Sequence, residues 1–210
     1  MALNRASLDP PLKEAGLRSA LGSKVPDNNA VQNLYRLIIE SSGSTISVNN
    51  LAQTLHKSHD STSNMLSALE KVWMIWKLES YHKQLTKIIR KDCKYYPVDW
   101  IFDDKLEVKT AVLLQRRIMY LRQSLGENLQ LYFYRDYEQR EVDFVITLDD
   151  SVVLAIECKE KENSLPSTLK YFCKTFNCPG VVITNQRNQL DLIGKNFIIT
   201  SIDIFSYSFL

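Results

Sequence analysis

The sequence predicts an α/β protein in two parts: a small helical unit with a two-stranded wing, then a larger mixed sheet flanked by helices. Three observations carry this. Apolar residues recur at helical spacing early in the chain, at Val31, Leu34, Tyr35, Ile38 and again at Met65, Leu66, Leu69, Val72. From Leu129 onward, β-branched and aromatic runs take over at 129–135, 141–146 and 152–158. Two of those runs hold an ionisable residue in mid-strand, Asp143 in one and Glu157 in the other, with Lys159 directly after the second. A buried charge is costly there unless it is paired or bound to a metal.

Residues 1–28, with Pro10-Pro11, Gly16, Gly22-Ser23 and Pro26-Asp27-Asn28, read as a loosely ordered lead-in with no core. The first helix runs through Ile39 and stops at Ser41-Ser42-Gly43. A second starts at Ser47 and offers Leu51, Ala52 and Leu55; a third starts near residues 58–60, whose side chains suit an N-cap. Residues 73–78 read as a strand, with Trp73 and Trp76 as core or domain-interface residues, and residues 94–98 as its return after a basic loop. Over 29–102, three helices and a two-stranded wing make a winged helix-turn-helix. The start of its third helix, residues 59–64, offers hydroxyls and an amide but no Arg or Lys for bidentate guanine contacts, so DNA reading and plain packing weigh equally for it. Residues 103–210 form the second domain. A helix from Asp104 to Leu125 ends near Gly126, strands follow at 129–135, 141–146 and 152–159, a helix at 164–176, and strands at 180–184 and 197–202. Helix, three-stranded meander, helix, strand is the order of a restriction-endonuclease-like mixed sheet.

A chain of 210 residues, 45% hydrophobic, can bury one large core or two small ones. No apolar run approaches the ~20 residues of a membrane span, and the N-terminus lacks a signal-peptide apolar segment, so a soluble, cytoplasmic protein without membrane partners is expected. Cys93, Cys158, Cys173 and Cys178 form no C-x-x-C pair and read as reduced thiols. A zinc site on Cys173 and Cys178 is disfavoured because His56, His59 and His82 all lie far upstream. The net charge of +2 divides into +4 over residues 1–100 and −2 over 101–210. The densest basic patch, Lys83, Lys87, Arg90, Lys91 and Lys94, is a candidate nucleic-acid contact, with a solvated loop as the competing account. The chain contains no G-x-x-x-x-G-K-[ST], and its six glycines are scattered, which excludes ATP hydrolysis by that route.

Acid-x-Lys occurs four times, ending at Lys94, Lys105, Lys109 and Lys159, so the tripeptide alone says little. Only the last follows an apolar strand and a preceding strand with its own embedded aspartate. Asp143 followed by Glu157-Cys158-Lys159 resembles the PD-(D/E)xK nuclease signature, in which two acids hold a divalent cation and the lysine assists the attacking water. The wider frame, Glu141-Val142-Asp143-Phe144-Val145-Ile146 and Ile156-Glu157-Cys158-Lys159, is similar to the C-terminal domain of a large family of uncharacterised prokaryotic ATPases. Members of that family join an AAA-like ATPase domain to a winged helix-turn-helix and a nuclease-like domain. The similarity covers roughly the last 180 residues, which points to a C-terminal fragment or a lineage that lost its motor.

The resemblance implies catalytic roles for Asp143, Glu157 and Lys159, and a Mg²⁺ or Mn²⁺ ion held by Asp143, Glu157 and the backbone carbonyl of Cys158. Such an ion takes oxygen ligands and keeps several waters. Glu107, in the first helix of the domain, is the fourth candidate ligand. Glu141 is read as a supporting carboxylate and Arg140 as its solvent-facing neighbour. Alternation along a strand puts Glu157 and Lys159 on one face of theirs, and Glu141 and Asp143 on one face of theirs. The competing account is an ion-pair cluster in which both acids pair Lys159 without metal. The expected function is a metal-dependent nuclease-like module hydrolysing phosphodiester bonds in DNA or RNA; the alternative is a non-catalytic nucleic-acid or protein interaction module lacking its ATPase domain. Expected partners are nucleic acid and an ATPase domain upstream or in trans, with a homodimer left open.

Overall fold

The computed structural model describes residues 28–81 and 93–209. They divide into two compact units, one of residues 28–77 and 93–103, the other of residues 78–81 and 104–209.

In the first unit α1 (Asn28–Glu40) buries Val31, Leu34 and Ile38 along one stripe. Gly43, at φ 88°, turns the chain into a short β1 (Thr45–Ile46), which the sequence did not predict. Helix α2 (Val48–Thr54) follows Ser47, and α3 (His59–Lys71) follows Ser58, whose side chain accepts a hydrogen bond from the Ser61 amide at 3.2 Å. Strands β2 (Ile75–Ser80) and β3 (Cys93–Pro97) complete the unit, with β3 antiparallel to β1 in the register Thr45↔Lys94, Ile46↔Cys93. Leu34, Ile38, Met65, Leu69 and Ile75 share one core. Trp76 is buried and stacks on Tyr96 at 5.1 Å. Trp73, read from the sequence as a core or domain-interface residue, lies outside the core and is 60% exposed. It sits at φ 56° where α3 ends: its amide donates to Glu70 and the Met74 amide donates to Leu69, both at the backbone carbonyl. This is the left-handed helix stop that normally falls to glycine, and it turns the indole outward and delays β2 to Ile75.

The second unit begins with the tail of β2, which pairs parallel to β4 (Leu129–Arg135) in the register Glu79↔Tyr132, Ser80↔Phe133. Helix α4 (Leu106–Leu125) stops at Gly126, whose φ of 72° is the left-handed stop anticipated from sequence. Strands β4, β5 (Glu141–Leu148) and β6 (Ser151–Lys159) form an antiparallel meander. Asp149 and Asp150 both have positive φ, as a two-residue hairpin requires. Then come α5 (Ser167–Phe176), β7 (Gly180–Thr184), β8 (Leu190–Ile193), β9 (Phe197–Ser201) and α6 (Ile202–Phe209). Within this unit the strand order is β2-β4-β5-β6-β7-β9-β8, with β7 parallel to β6 and β9 parallel to β7. The architecture is a mixed α/β sheet with helices packed on it: α5 against β5, β6 and β7, and α4 against β4, β6 and α6. Val142, Val145, Ala155, Leu169, Phe172, Val182 and Ile199 share the core under α5. The chain signals α5 weakly at its start, because Pro166 holds an extended backbone that delays the helix to Ser167. Edge strand β8 gives no amphipathic signal, since Leu190 and Leu192 are both exposed.

Gly180 marks the tightest approach. A Cβ there would lie 2.9 Å from Cys173 Sγ and from two ring carbons of Phe197, so α5 and β9 close on β7 only because that position carries no side chain. Gly180→Ala is expected to destabilise the protein by about 1–3 kcal/mol, read as a lower midpoint in urea; an unchanged midpoint would contradict this packing.

Candidate functional site

The candidate site lies where the sheet forks. The β5–β6 ladder runs from the hairpin as far as Phe144↔Ile156 and there ends, although β5 starts at Glu141 and β6 continues to Lys159. Beyond that point the start of β5 stays with β4 (Arg135↔Glu141, Tyr134↔Val142), while the end of β6 stays with β7 (Glu157↔Val182, Lys159↔Thr184). The backbone of β6 loses its ladder partner on one side, and a side chain takes over: the Cys158 amide donates to Asp143 Oδ2 at 2.7 Å. Such a charge-assisted bond is stronger than the ladder bond it stands in for.

Asp143 is also set by an irregularity. Tyr132↔Val145 and Tyr134↔Val142 leave one extra residue on β5, so Asp143 and Phe144 together oppose Phe133. This bulge breaks strict alternation, which is why Val142 and Val145 can share one core although they stand three positions apart, an offset that puts residues of a regular strand on opposite faces. The extra residue falls at Asp143 and Phe144, and over Glu141, Val142 and Asp143 burial still alternates as half-buried, buried, half-buried.

Glu157 is 6% exposed and Lys159 is 42% exposed at its side chain. Lys159 Nζ donates to Glu157 Oε1 at 2.9 Å, and Glu157 Oε2, equally buried, has no hydrogen-bond partner. Burial holds the Glu157 carboxyl above the usual range; Lys159 opposes the shift, and the charges of Glu141 and Glu107 reinforce it. Burial would lower the Lys159 ammonium, but the bond to Glu157 and the charges of Glu157, Asp143 and Glu162 outweigh it and leave the pKa raised. Glu107 lies half-buried in the first turn of α4, within electrostatic reach of both Glu157 and Cys158. The fold therefore gathers Glu107, Asp143, Glu157 and Lys159 into one electrostatic neighbourhood. Among the described residues no three His, Cys, Asp or Glu side chains converge closely enough to form a ready-made metal cage.

Other expectations fare differently. Lys94 is 1% exposed in β3, a strand buried along its whole length between β1 and β2, so it is not available to surface phosphates. Lys83, Lys87, Arg90 and Lys91 lie outside the described residues. Arg140 is no solvent-facing bystander. It binds Asp136 at 2.6 Å and Glu138 at 3.0 Å, and its guanidinium lies 3.9 Å from the Tyr171 ring centre. Glu141 pairs with Arg135 at 3.7 Å. Sequence reasoning missed Gln189, whose side chain accepts from Thr184 Oγ1 at 2.6 Å and donates to the Glu162 carbonyl at 3.1 Å. It ties the segment after Lys159 to the end of β7, across a sequence separation that no local pattern reveals.

The sign of the Glu157 shift gives a test. A carboxyl whose folded pKa is raised contributes stability that is complete below its unfolded pKa and is lost as pH rises through the folded value. Glu157→Gln should therefore raise Tm at pH 7.5 and flatten the fall in stability from about pH 4.5 upward. About 1 kcal/mol moves the midpoint of a chain this size by about 2–4 °C. A lower Tm at pH 7.5 would instead mark the Glu157–Lys159 pair as a stabilising bridge.

Comparison with known proteins gives two partial matches. Residues 113–205 match a domain of unknown function, DUF4143, found in AAA-like ATPase-associated proteins, and residues 20–100 match a second domain of unknown function, DUF8612. No curated protein and no solved structure matches the chain. No helix among the described residues is long and apolar enough to cross a membrane. The first match supports a link between the sheet unit and proteins associated with AAA-like ATPases.

Proposed function

We propose that this chain is a metal-dependent nuclease-like module that hydrolyses phosphodiester bonds in DNA or RNA. In this reading α1, α2, α3 and the β1–β3 strands are a winged helix-turn-helix and the sheet unit is a PD-(D/E)xK-like domain. It works with an ATPase domain, upstream or in trans, in the reducing cytoplasm that suits free Cys93, Cys158, Cys173 and Cys178. The observation that carries the proposal is Glu157: a buried carboxylate with one oxygen lacking a hydrogen-bond partner, next to a cationic lysine and a second acid at the fork of a sheet. A group in that position calls for a cation.

Mg²⁺ or Mn²⁺ fits the donor set. Glu157 and Asp143, with the Cys158 carbonyl between Glu157 and Lys159 and Glu107 as a further acid, offer the few hard oxygens that such an ion takes while keeping its waters. When bound, the ion polarises the scissile phosphate and lowers the pKa of its bound water. Lys159, held protonated, orients the attacking water and stabilises charge developing on the phosphoryl oxygens. Glu157 fixes the ammonium, and Asp143 holds the strand end through the Cys158 amide. A non-catalytic interaction module is the second reading, favoured by the lack of a three-acid cage among the described residues.

Two measurements on the whole chain decide between them. Millimolar Mn²⁺ should raise Tm by mass action, and the rise should vanish in Asp143→Ala. Lys159→Ala should keep the Mn²⁺-induced rise while losing roughly 10²-fold or more of Mn²⁺-dependent cleavage of a panel of single- and double-stranded DNA and RNA. A wild-type chain that cuts nothing, with Lys159→Ala melting markedly lower in the absence of metal, would establish the interaction module instead.

A further inference from the structure

The end of α5 brings two thiols together. Asn177, at φ 51° and ψ 50°, is the left-handed residue that stops the helix, and its amide donates to the Cys173 carbonyl. The next amide, that of Cys178, donates to the same carbonyl at 3.1 Å. In a helix stop of this kind the residue after the left-handed one packs its side chain against the residue five positions earlier, a contact usually made by two apolar groups. Here both places hold cysteine, and both are buried and free. Two apolar residues would serve the packing as well; two cysteines add the capacity to be joined.

The direct backbone bond limits the Cα–Cα separation to about 7 Å before any bend in it is counted, and a disulfide spans about 4.4–6.8 Å. Side-chain direction agrees. A Cβ on Gly180 would lie 2.9 Å from Cys173 Sγ, so that sulfur points at the chain just beyond Cys178, and the Cys173 thiol is close enough to donate to Cys178. That bond holds the Cys178 thiol below its ordinary pKa although burial opposes it, while the bond and burial together hold Cys173 above. Thiolate, the form that attacks a disulfide, therefore arises first at Cys178. Cys158 is the contrast: burial and the neighbouring Asp143 charge push its thiol well up. Reagent reaches the pair when the last turn of α5 opens, and Asn177 and Pro179, on either side of Cys178, are already exposed.

We propose that Cys173 and Cys178 form a reversible dithiol–disulfide site, oxidised by low-molecular-weight disulfides of the glutathione class and reopened by the corresponding thiol. The Cys178 thiolate attacks one sulfur of the disulfide RSSR, forming a mixed disulfide and releasing RS⁻, which takes up the proton that Cys178 lost. Cys173 then gives up its proton and attacks Cys178 Sγ; the mixed S–S bond breaks, and the second RS⁻ leaves with that proton. The protein loses two hydrogens and RSSR becomes two RSH. The bridge ties the end of α5 to the lead-in of β7, the strand that pairs with Glu157 and Lys159 through Val182 and Thr184. It uses none of the candidate site's residues, needs neither metal nor cleavage, and stands independently of the nuclease-like reading.

The whole chain, folded or in concentrated urea, is equilibrated for a day with mixtures of reduced and oxidised glutathione, quenched in acid and digested with trypsin. Trypsin cuts after Lys170, Lys174 and Arg187, so the bridge links residues 171–174 to residues 175–187 with the loss of two hydrogens. At one fixed glutathione mixture the ratio of bridged to open pair should be at least tenfold higher in the folded chain than in urea, where the helix stop is gone. Cys173→Ala should halt at the mixed disulfide, with glutathione on Cys178, and Cys178→Ala should take up glutathione at least tenfold more slowly. If either variant fails to fold, the wild-type ratio decides alone. Two thiols still free in the folded wild type under oxidised glutathione, glutathione retained on either cysteine at equilibrium, a bridge to Cys93 or Cys158 instead, or the same ratio folded and in urea would overturn the proposal.

Discussion

The parting of β5 from β6 at Phe144↔Ile156 is the constraint on which the rest of the candidate site depends. A sheet that opens in its middle leaves amides without ladder partners, and each one buried without a substitute costs on the order of 1–3 kcal/mol. The Asp143 carboxylate meets that need at Cys158, and the bulge opposite Phe133 determines where Asp143 sits on its strand. The residue thus supports the opening before it does any chemistry. The opening in turn leaves the neighbouring positions, Glu157 and Lys159, without a ladder partner on the β5 side, while β7 still pairs with them on the other.

Electrostatics across the fork point in opposing directions. Glu157 is disfavoured as a charge by its burial and by two further acids, whereas Lys159 is favoured as one. A pair built for stability alone would leave no carboxylate oxygen buried and unsatisfied, and replacing such ion pairs with apolar residues is often neutral or better. Departures from local consistency of this kind tend to collect where a protein works. By contrast, the Asp136–Arg140 pair in the β4–β5 turn is fully satisfied: burial pulls Asp136 up, but bonds from the Arg140 side chain and from the Arg140 and Glu138 amides leave its pKa lowered.

What was legible in the sequence follows from which forces are local. Ser58 as an N-cap, Gly126 as a helix stop and the alternation of Val152, Leu154 and Ile156 are written within a few residues of where they act, and those elements appear as expected. Embedded charge singled out Asp143, Glu157 and Lys159 as candidates for the same reason, and the fold brings the three close together. Trp73 misled because hydrophobicity argues for burial while the Schellman turn that exposes it depends on bonds back to Leu69 and Glu70. Lys94 misled because its charge argued for the surface while its place in an inner strand of the first unit buries it. The bulge at Asp143 and the Gln189 clamp are relations between distant segments, and no pattern within one segment could have shown them.

Strand β2 belongs to both units, Ile75–Lys77 to one and Leu78–Ser80 to the other, because Glu79 and Ser80 pair with Tyr132 and Phe133. The second unit is therefore discontinuous in the chain, and no single cut releases it whole. A polypeptide begun at Asp104 would lack the segment beside β4, leaving a bare strand edge next to Phe133, which is wholly buried in the intact chain. Tyr81, packed against Tyr132 and Phe176, would be lost with it. Expressing the sheet unit by itself calls for a circular permutation or a grafted strand that restores residues 78–81, rather than for truncation.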